Sequence, residues 1–347
     1  MEMALYHPEL GYYTKDSTMM GGAGDFYTSP HLHSIFGAMI GRQMKEMWDF
    51  IGRPDGFQIV EIGAGMGYLA KDMLEYLKRK DIFQYLKYTI IELNPSIKAN
   101  QKMLLKDFLD KVNWFSHLSE LASVTGCFLS NELLDAFPVR IVEMDDELVE
   151  IYISVSGDNF AEVKMPCSED VREYFRECSI ELPKGFRTEV NLKIHGWLRD
   201  VIDKLSEGFI LTIDYGYPAL DYYSEDRRKG TLLCYYQHRI NADPYQNIGE
   251  QDLTVHVNFS SLKKWGETMG LKTIGFCPQG AFLVSLGIDQ VMMELYGDSL
   301  DAFEIAKIKG LILPQGMGES HKVMVQYKGK DNLRLSGFAL RNQIGRL

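Results

Sequence analysis

The chain has 347 residues, of which 46% are hydrophobic, 12% aromatic and 24% charged. That is the composition of a folded globular protein and excludes a collagenous, low-complexity or largely disordered one. The net charge of −11 excludes a surface built to follow phosphate backbones, so no nucleic-acid partner is expected.

The start, MEMALYHPEL, holds neither a basic stretch followed by an apolar run nor an Arg-rich, acid-free transit stretch, and no targeting segment is read there. The apolar-leaning run 276–288 is broken by Pro278, Gln279 and Gly280. It falls short of the roughly 20 residues a bilayer requires, so no membrane span is expected. Cys127, Cys167, Cys178, Cys234 and Cys277 are odd in number and form no CxxC pair, which points to a reducing, cytoplasmic compartment without a disulfide or zinc framework. His31 and His33 sit two apart where a helix starts and so diverge, and no metal is expected.

Taken in chain order, Ser29-Pro30 reads as an N-cap followed by proline at the first helical position. Ile35, Phe36, Met39, Ile40, Met44, Met47 and Trp48 then form one apolar stripe. Strands are expected over 57–62, 88–92, 126–130, 209–214 and 321–327. Between the first two, Leu69, Ala70, Met73, Leu74 and Leu77 recur at helical spacing, which makes a βαβ unit. The alternation is interrupted over 138–205. There 139–144, 148–155 and 161–165 read as antiparallel strands with a turn at Gly157-Asp158-Asn159, followed by a charged helix over 169–177. The pattern predicts a single α/β domain with a largely parallel sheet: an N-terminal cover segment and helix over 1–56, a core over 57–137 and 206–330, and an insertion over 138–205. The amphipathic helices read as core, which leaves the oligomeric state open.

Chemistry is expected first at Glu61-Ile62-Gly63-Ala64-Gly65-Met66-Gly67, which follows a strand and opens a helix. A dinucleotide fingerprint would need glycine where this chain has Tyr68. The E-x-G-x-G-x-G spacing instead resembles motif I of class I S-adenosylmethionine-dependent methyltransferases, which makes Glu61, Gly63, Gly65 and Gly67 candidate cofactor residues. Glu92, closing the next strand and followed by Leu93, stands where such folds place the carboxylate that accepts from ribose hydroxyls. Two more loops follow strands, Asn131-Glu132-Leu133-Leu134-Asp135-Ala136-Phe137-Pro138 and Asp214-Tyr215-Gly216-Tyr217. Capping and turn formation explain either loop alone as well as function does.

Together with Gly11-Tyr12-Tyr13, Gly24-Asp25-Phe26-Tyr27-Thr28-Ser29-Pro30 and Asp252-Leu253-Thr254-Val255-His256-Val257, these segments resemble the MidA family, from the first residues to about Tyr327. A further helix that usually precedes the segment matching Met1 to Tyr13 has no counterpart here. The resemblance implies a Rossmann-like class I methyltransferase sheet with an inserted, partly antiparallel subdomain, and S-adenosyl-L-methionine as cofactor, held by the glycine loop, Glu92, Leu93 and Asn131. The family's mitochondrial members are matrix protein arginine methyltransferases that make symmetric dimethylarginine and serve assembly of respiratory complex I. The partner implied is therefore a protein substrate, such as a respiratory NADH dehydrogenase subunit. A guanidinium stays protonated and needs carboxylates to grip it; Glu132, Asp135 and Asp214 are the candidate catalytic residues, with Asp25, Phe26, Tyr27 and Thr28 as the active-site cover. A methyltransferase acting on a small molecule and a non-catalytic assembly factor that binds the cofactor remain alternatives. A DNA methyltransferase does not, since no Asn-Pro-Pro-aromatic tetrad occurs.

Overall fold

The computed structural model describes residues 1–15, 28–157, 159–237, 239–330 and 332–347. Helices α1 (Glu2–Tyr6), α2 (Ser29–Leu32) and α3 (Ile35–Phe50) precede an alternating run of β1 (Phe57–Ile62), α4 (Tyr68–Leu77), β2 (Leu86–Ile91), α5 (Pro95–Leu104), β3 (Val112–Phe115) and β4 (Val124–Asn131). Strands β5 (Arg140–Met144), β6 (Leu148–Ser156) and β7 (Asn159–Pro166), helix α6 (Glu169–Cys178), β8 (Arg187–Val190) and α7 (Lys193–Lys204) lead to the long β9 (Leu205–Tyr217). After α8 (Ala219–Tyr222) come β10 (Leu233–Tyr236), β11 (Arg239–Asn241), β12 (Asp252–Thr254), β13 (Val257–Asn258), α9 (Phe259–Thr268) and β14 (Lys272–Pro278). Helices α10 (Gln279–Ser285), α11 (Ile288–Tyr296), α12 (Ala302–Ile312) and α13 (Met317–Ser320) then lead into β15 (His321–Lys328).

The main sheet runs β14-β15-β9-β4-β1-β2-β3. The pairs β4/β9, β1/β4, β1/β2 and β2/β3 are parallel, whereas β15 lies antiparallel to both β9 and β14. Strand order reverses between β1 and β4, and in open α/β sheets a ligand binds in the crevice beyond the carboxyl ends at such a point. One face of the sheet is covered by α3 and α4, whose apolar stripes (Ile35, Phe36, Met39, Ile40 and Met44; Leu69, Met73 and Leu77) are buried.

The expected N-cap at Ser29 and the continuous helix from there are corrected. Thr28 is the extended N-cap, and α2 stops at His33, whose backbone is extended at φ −162°. His33 Nδ1 accepts from the Ile35 amide at 3.0 Å and its Nε2 lies 2.9 Å from Glu304 Oε2, so the side chain occupies the groups at the break and the helix restarts as α3. The strands expected over 139–165 occur as β5 to β7 and, with β8, form a separate antiparallel sheet, β7-β6-β5-β8. Asp158, in the expected turn, lies outside the described residues. Beyond β15 the tail crosses the sheet edge: Gln343 N–H donates to Phe276 O at 2.7 Å, and Phe276 N–H donates to Asn342 Oδ1 at 3.3 Å, which covers part of the outer edge of β14.

Helix α4 carries the glycine loop, and α3 holds it closely. A Cβ at Gly37 would lie 2.5 Å from Asp72 Cβ and 3.0 Å from the Met73 amide nitrogen. Alanine ordinarily gains about 1 kcal/mol over glycine inside a helix, but overpacking against a neighbouring backbone costs about 1–3 kcal/mol. Gly37→Ala is therefore expected to lower stability in urea unfolding, while Gly196→Ala on α7, where a Cβ meets nothing within 4 Å, is expected to raise it.

Candidate active site

Gly63, Gly65 and Gly67 turn the chain from β1 into α4 with φ of +71°, +53° and +86°, values that a side chain penalises. A Cβ at Gly63 would meet Leu133 Cδ1 at 2.8 Å, and one at Gly67 would meet Gln101 Cγ at 3.4 Å, but at Gly65 nothing lies within 4 Å. The loop is thus packed at both ends and open in the middle. The opening leads into a cavity of about 720 Å³, within the range of cofactor sites.

Glu61 lines this cavity, yet its Oε2 accepts from the Tyr88 hydroxyl at 2.6 Å, and burial pushes its carboxyl up to about 7. Glu92 stands one residue past β2 and is 9% exposed. It accepts from the Asn94 amide at 2.9 Å and from Gln101 Nε2 at 3.3 Å, and burial raises its pKa in spite of both. Gln101, which the sequence reading missed, also donates to Gly65 O at 2.7 Å and accepts from Trp114 Nε1 at 3.0 Å, so one amide ties the glycine loop to the acid. Its signal is a polar residue four positions after Ile97, on the buried side of α5. Leu93, 55% exposed, and Asn131 complete this side of the cavity.

The three expected catalytic carboxylates come together, but only Glu132 lines the cavity. Asp214 is fully buried: its Oδ2 accepts from the Leu133 and Leu134 amides at 3.2 and 2.9 Å, and its Oδ1 from the Tyr215 amide at 2.9 Å. Burial, with Glu132 nearby, pushes its carboxyl up to about 8 against those donors, which favour the charged form. Asp135 is buried as well, and desolvation together with Asp214, Glu132 and Asp252 raises its pKa well above the usual carboxylate range. Of the three candidate carboxylates, Glu132 is thus the one at the cavity wall, while Asp214 is bonded to the amides of the acid loop and Asp135 is buried behind.

Glu132 adopts φ +50°, a strained conformation for a residue with a side chain and one that clusters at functional sites. Its amide donates to Ile213 O at 2.8 Å. Among the described residues, the hydrogen bonds to its carboxylate fall on Oε1, from the Ser29 amide and from Asn131 Nδ2, both at 3.2 Å. His321 Nε2 lies 3.5 Å from the same oxygen.

The N-terminal segment walls the cavity. Tyr6 hydroxyl donates to Ala136 O at 3.0 Å, Tyr13 hydroxyl to Asp252 Oδ1 at 2.7 Å, and Asn94 Nδ2 to Tyr13 O at 3.1 Å. Thr28 lines the cavity, and Asp25, Phe26 and Tyr27 of the expected cover lie outside the described residues. From α7, Lys193 and Trp197 close another side. They were missed because nothing in the helical pattern distinguishes a cavity wall from a core stripe.

Sheet order, glycine loop and the acid after β2 define a class I S-adenosylmethionine-dependent methyltransferase. The chain belongs to the MidA-like family described as "Putative S-adenosyl-L-methionine-dependent methyltransferase", whose profile matches residues 39–277. It is similar to a crystal structure of a "likely methyl transferase" from Burkholderia thailandensis bound to S-adenosyl-homocysteine. The identity is 30% and the TM-score 0.90, covering 100% of this chain and 90% of that one. Curated relatives include the Protein arginine methyltransferase NDUFAF7 homolog, mitochondrial, of Drosophila melanogaster, 26% identical over 95% of this chain and 80% of the relative. The Protein arginine methyltransferase NDUFAF7, mitochondrial, of Rattus norvegicus is 27% identical over 92% and 78%. No helix among the described residues is long and apolar enough to cross a membrane.

S-adenosylmethionine fits the residues present. The cradle at Gly65, the carboxylate of Glu92 and the buried Oδ1 of Asn131, which has no partner among the described residues, offer space and acceptors that a nucleoside with an amino-acid tail can use. Glu92→Ala is expected to weaken S-adenosylhomocysteine binding by about 1.5–3 kcal/mol, the usual worth of hydrogen bonds to a charged group. Gly65→Val, whose side chain enters the cradle, should abolish it; calorimetry checks both.

Glu61 makes a separate prediction. With its folded pKa near 7 against 4.5 for the free group, the folded state binds the proton more tightly than the unfolded chain. Stability therefore falls as pH rises from about 4.5 to 7, by roughly 3 kcal/mol, and levels off above. Urea unfolding across that window should show a fall that is smaller in Glu61→Gln than in the native protein by roughly 3 kcal/mol.

Proposed function

We propose that this methyltransferase acts on arginine side chains of a protein substrate. The observation that carries the reading is Glu132, a carboxylate held in a strained turn at the cavity wall, with its hydrogen bonds on one oxygen. The names of the relatives from Drosophila melanogaster and Rattus norvegicus support the same acceptor. The family resemblance adds symmetric dimethylation and a respiratory NADH dehydrogenase subunit as the protein methylated.

Bound S-adenosylmethionine supplies an electrophilic methyl group on a sulfonium. The protein's part is to hold the acceptor nitrogen in line and to exclude water, worth up to roughly 7–11 kcal/mol when geometry is well set. On this reading Glu132 accepts two N–H bonds from the guanidinium, localises electron density on the reacting nitrogen and takes the proton that this nitrogen sheds. Asp214 keeps Glu132 in place through the Leu133 and Leu134 amides, and burial beside its acidic neighbours disfavours a second charge on Asp135. Tyr6 and Tyr13 wall the cavity and limit water.

The test is mass spectrometry of arginine-containing proteins incubated with the purified enzyme and labelled S-adenosylmethionine. Label on arginine is expected. Label confined to small molecules would favour the small-molecule alternative, and none in either fraction the non-catalytic one. Glu132→Gln should leave S-adenosylhomocysteine affinity within about threefold and lower transfer by about 100-fold or more, the scale of losing a charge-stabilising group; undiminished methylation by this variant would remove Glu132 from the chemistry.

A further inference from the structure

We propose that His31 binds the carboxylate of the cofactor's amino-acid end and that α2 thereby couples cofactor binding to the position of Glu132. The Thr28 amide donates to His31 Nδ1 at 3.3 Å, and the Thr28 hydroxyl lies 2.6 Å from the same nitrogen. A nitrogen that accepts from a backbone N–H carries no proton, so the neutral ring bears its hydrogen on Nε2. Burial lowers the His31 pKa and favours that neutral form, with Glu132 opposing.

The Nε2 atom is buried without a partner among the described residues, and the ring lines the cavity. An unmet buried donor is costly unless a ligand satisfies it. The ring meets Tyr68, the first residue of α4, edge-on at 5.1 Å between centroids. The ten-residue α4 has no side-chain cap, because its N-cap is Gly67, and its first amides lack intrahelical acceptors. Helix amides and an imidazole N–H at one end of a cavity form a donor set for an anion. The anionic group of S-adenosylmethionine is its α-carboxylate.

Two residues before His31, the Ser29 amide donates to Glu132 Oε1, and the Ser29 hydroxyl donates to Gln279 Oε1 at 3.0 Å. One short helix therefore touches the cofactor cavity through His31 and the acceptor-side carboxylate through Ser29. A cofactor without its amino-acid end leaves α2 without the first of these contacts.

Calorimetry with S-adenosylhomocysteine and with methylthioadenosine, which lacks the amino-acid end, tests the assignment. In His31→Ala the affinity for S-adenosylhomocysteine should fall about 10- to 100-fold, as expected for a hydrogen bond to a charged group, with methylthioadenosine unchanged. His31→Gln, which restores an N–H donor, should recover most of the loss. Hydrogen exchange of residues 28–33 should slow with S-adenosylhomocysteine in the native protein and not in His31→Ala. Unchanged affinity for S-adenosylhomocysteine in His31→Ala, or equal losses for both ligands, would overturn the proposal.

Discussion

The site depends on one buried carboxylate. Asp214 ends the central run of β9 and accepts from the Leu133 and Leu134 amides of the neighbouring strand end. A buried carboxyl group is costly unless it is hydrogen-bonded, and these amides supply the bonds. Satisfying them fixes the path of the chain after β4: Glu132 is driven to φ +50°, its side chain meets the Ser29 amide, and Leu133 packs over Gly63. Glycine loop and acid loop, on the strands where the sheet order reverses, are thereby set at a defined distance. The cavity between them inherits that geometry.

Much of this was legible in the sequence because it was written in local patterns. The core strands, the helix after the glycines and the loop itself follow from strand runs, helical spacing and the glycine cluster between them. Glu92 was legible from its place after a strand. The roles of the three acids were not, because sequence order cannot say which carboxylate meets amides and which meets a cavity; Asp214 and Glu132 are distinguished by a strand register that places Asn131 beside Ile213. Strand β8 escaped notice because Arg187, Thr188 and Glu189 read as surface, although Thr188 and Glu189 are buried. Glu189 finds its donors in Thr231 and Leu232, more than forty positions away, a pairing no local pattern announces. The break at His33 likewise depends on Glu304, far along the chain.

The negative charge of the chain takes on structure in this light. Asp135, Asp214 and Asp252 are buried around the Glu132 turn, and like charges packed together raise one another's pKa until some are neutral. On the proposed reading, the cluster presents one gripping carboxylate to a cationic acceptor while its buried members shape the turn. The N-terminal segment contributes from outside the sheet, with Tyr6 and Tyr13 bonded to the acid loops and α2 to Glu132. Acceptor choice on this reading lies in these added elements, because the sheet and glycine loop serve the cofactor.

The central claim is that Glu132, and not the buried acids behind it, meets the acceptor. A crystal structure of the protein with S-adenosylhomocysteine and an arginine-containing peptide tests it most directly. The account predicts guanidinium nitrogens about 3 Å from the Glu132 carboxylate, with Asp214 still bonded to the Leu133 and Leu134 amides. An arginine seated against Asp214 or Asp135, or a peptide bound away from this wall of the cavity, would contradict it.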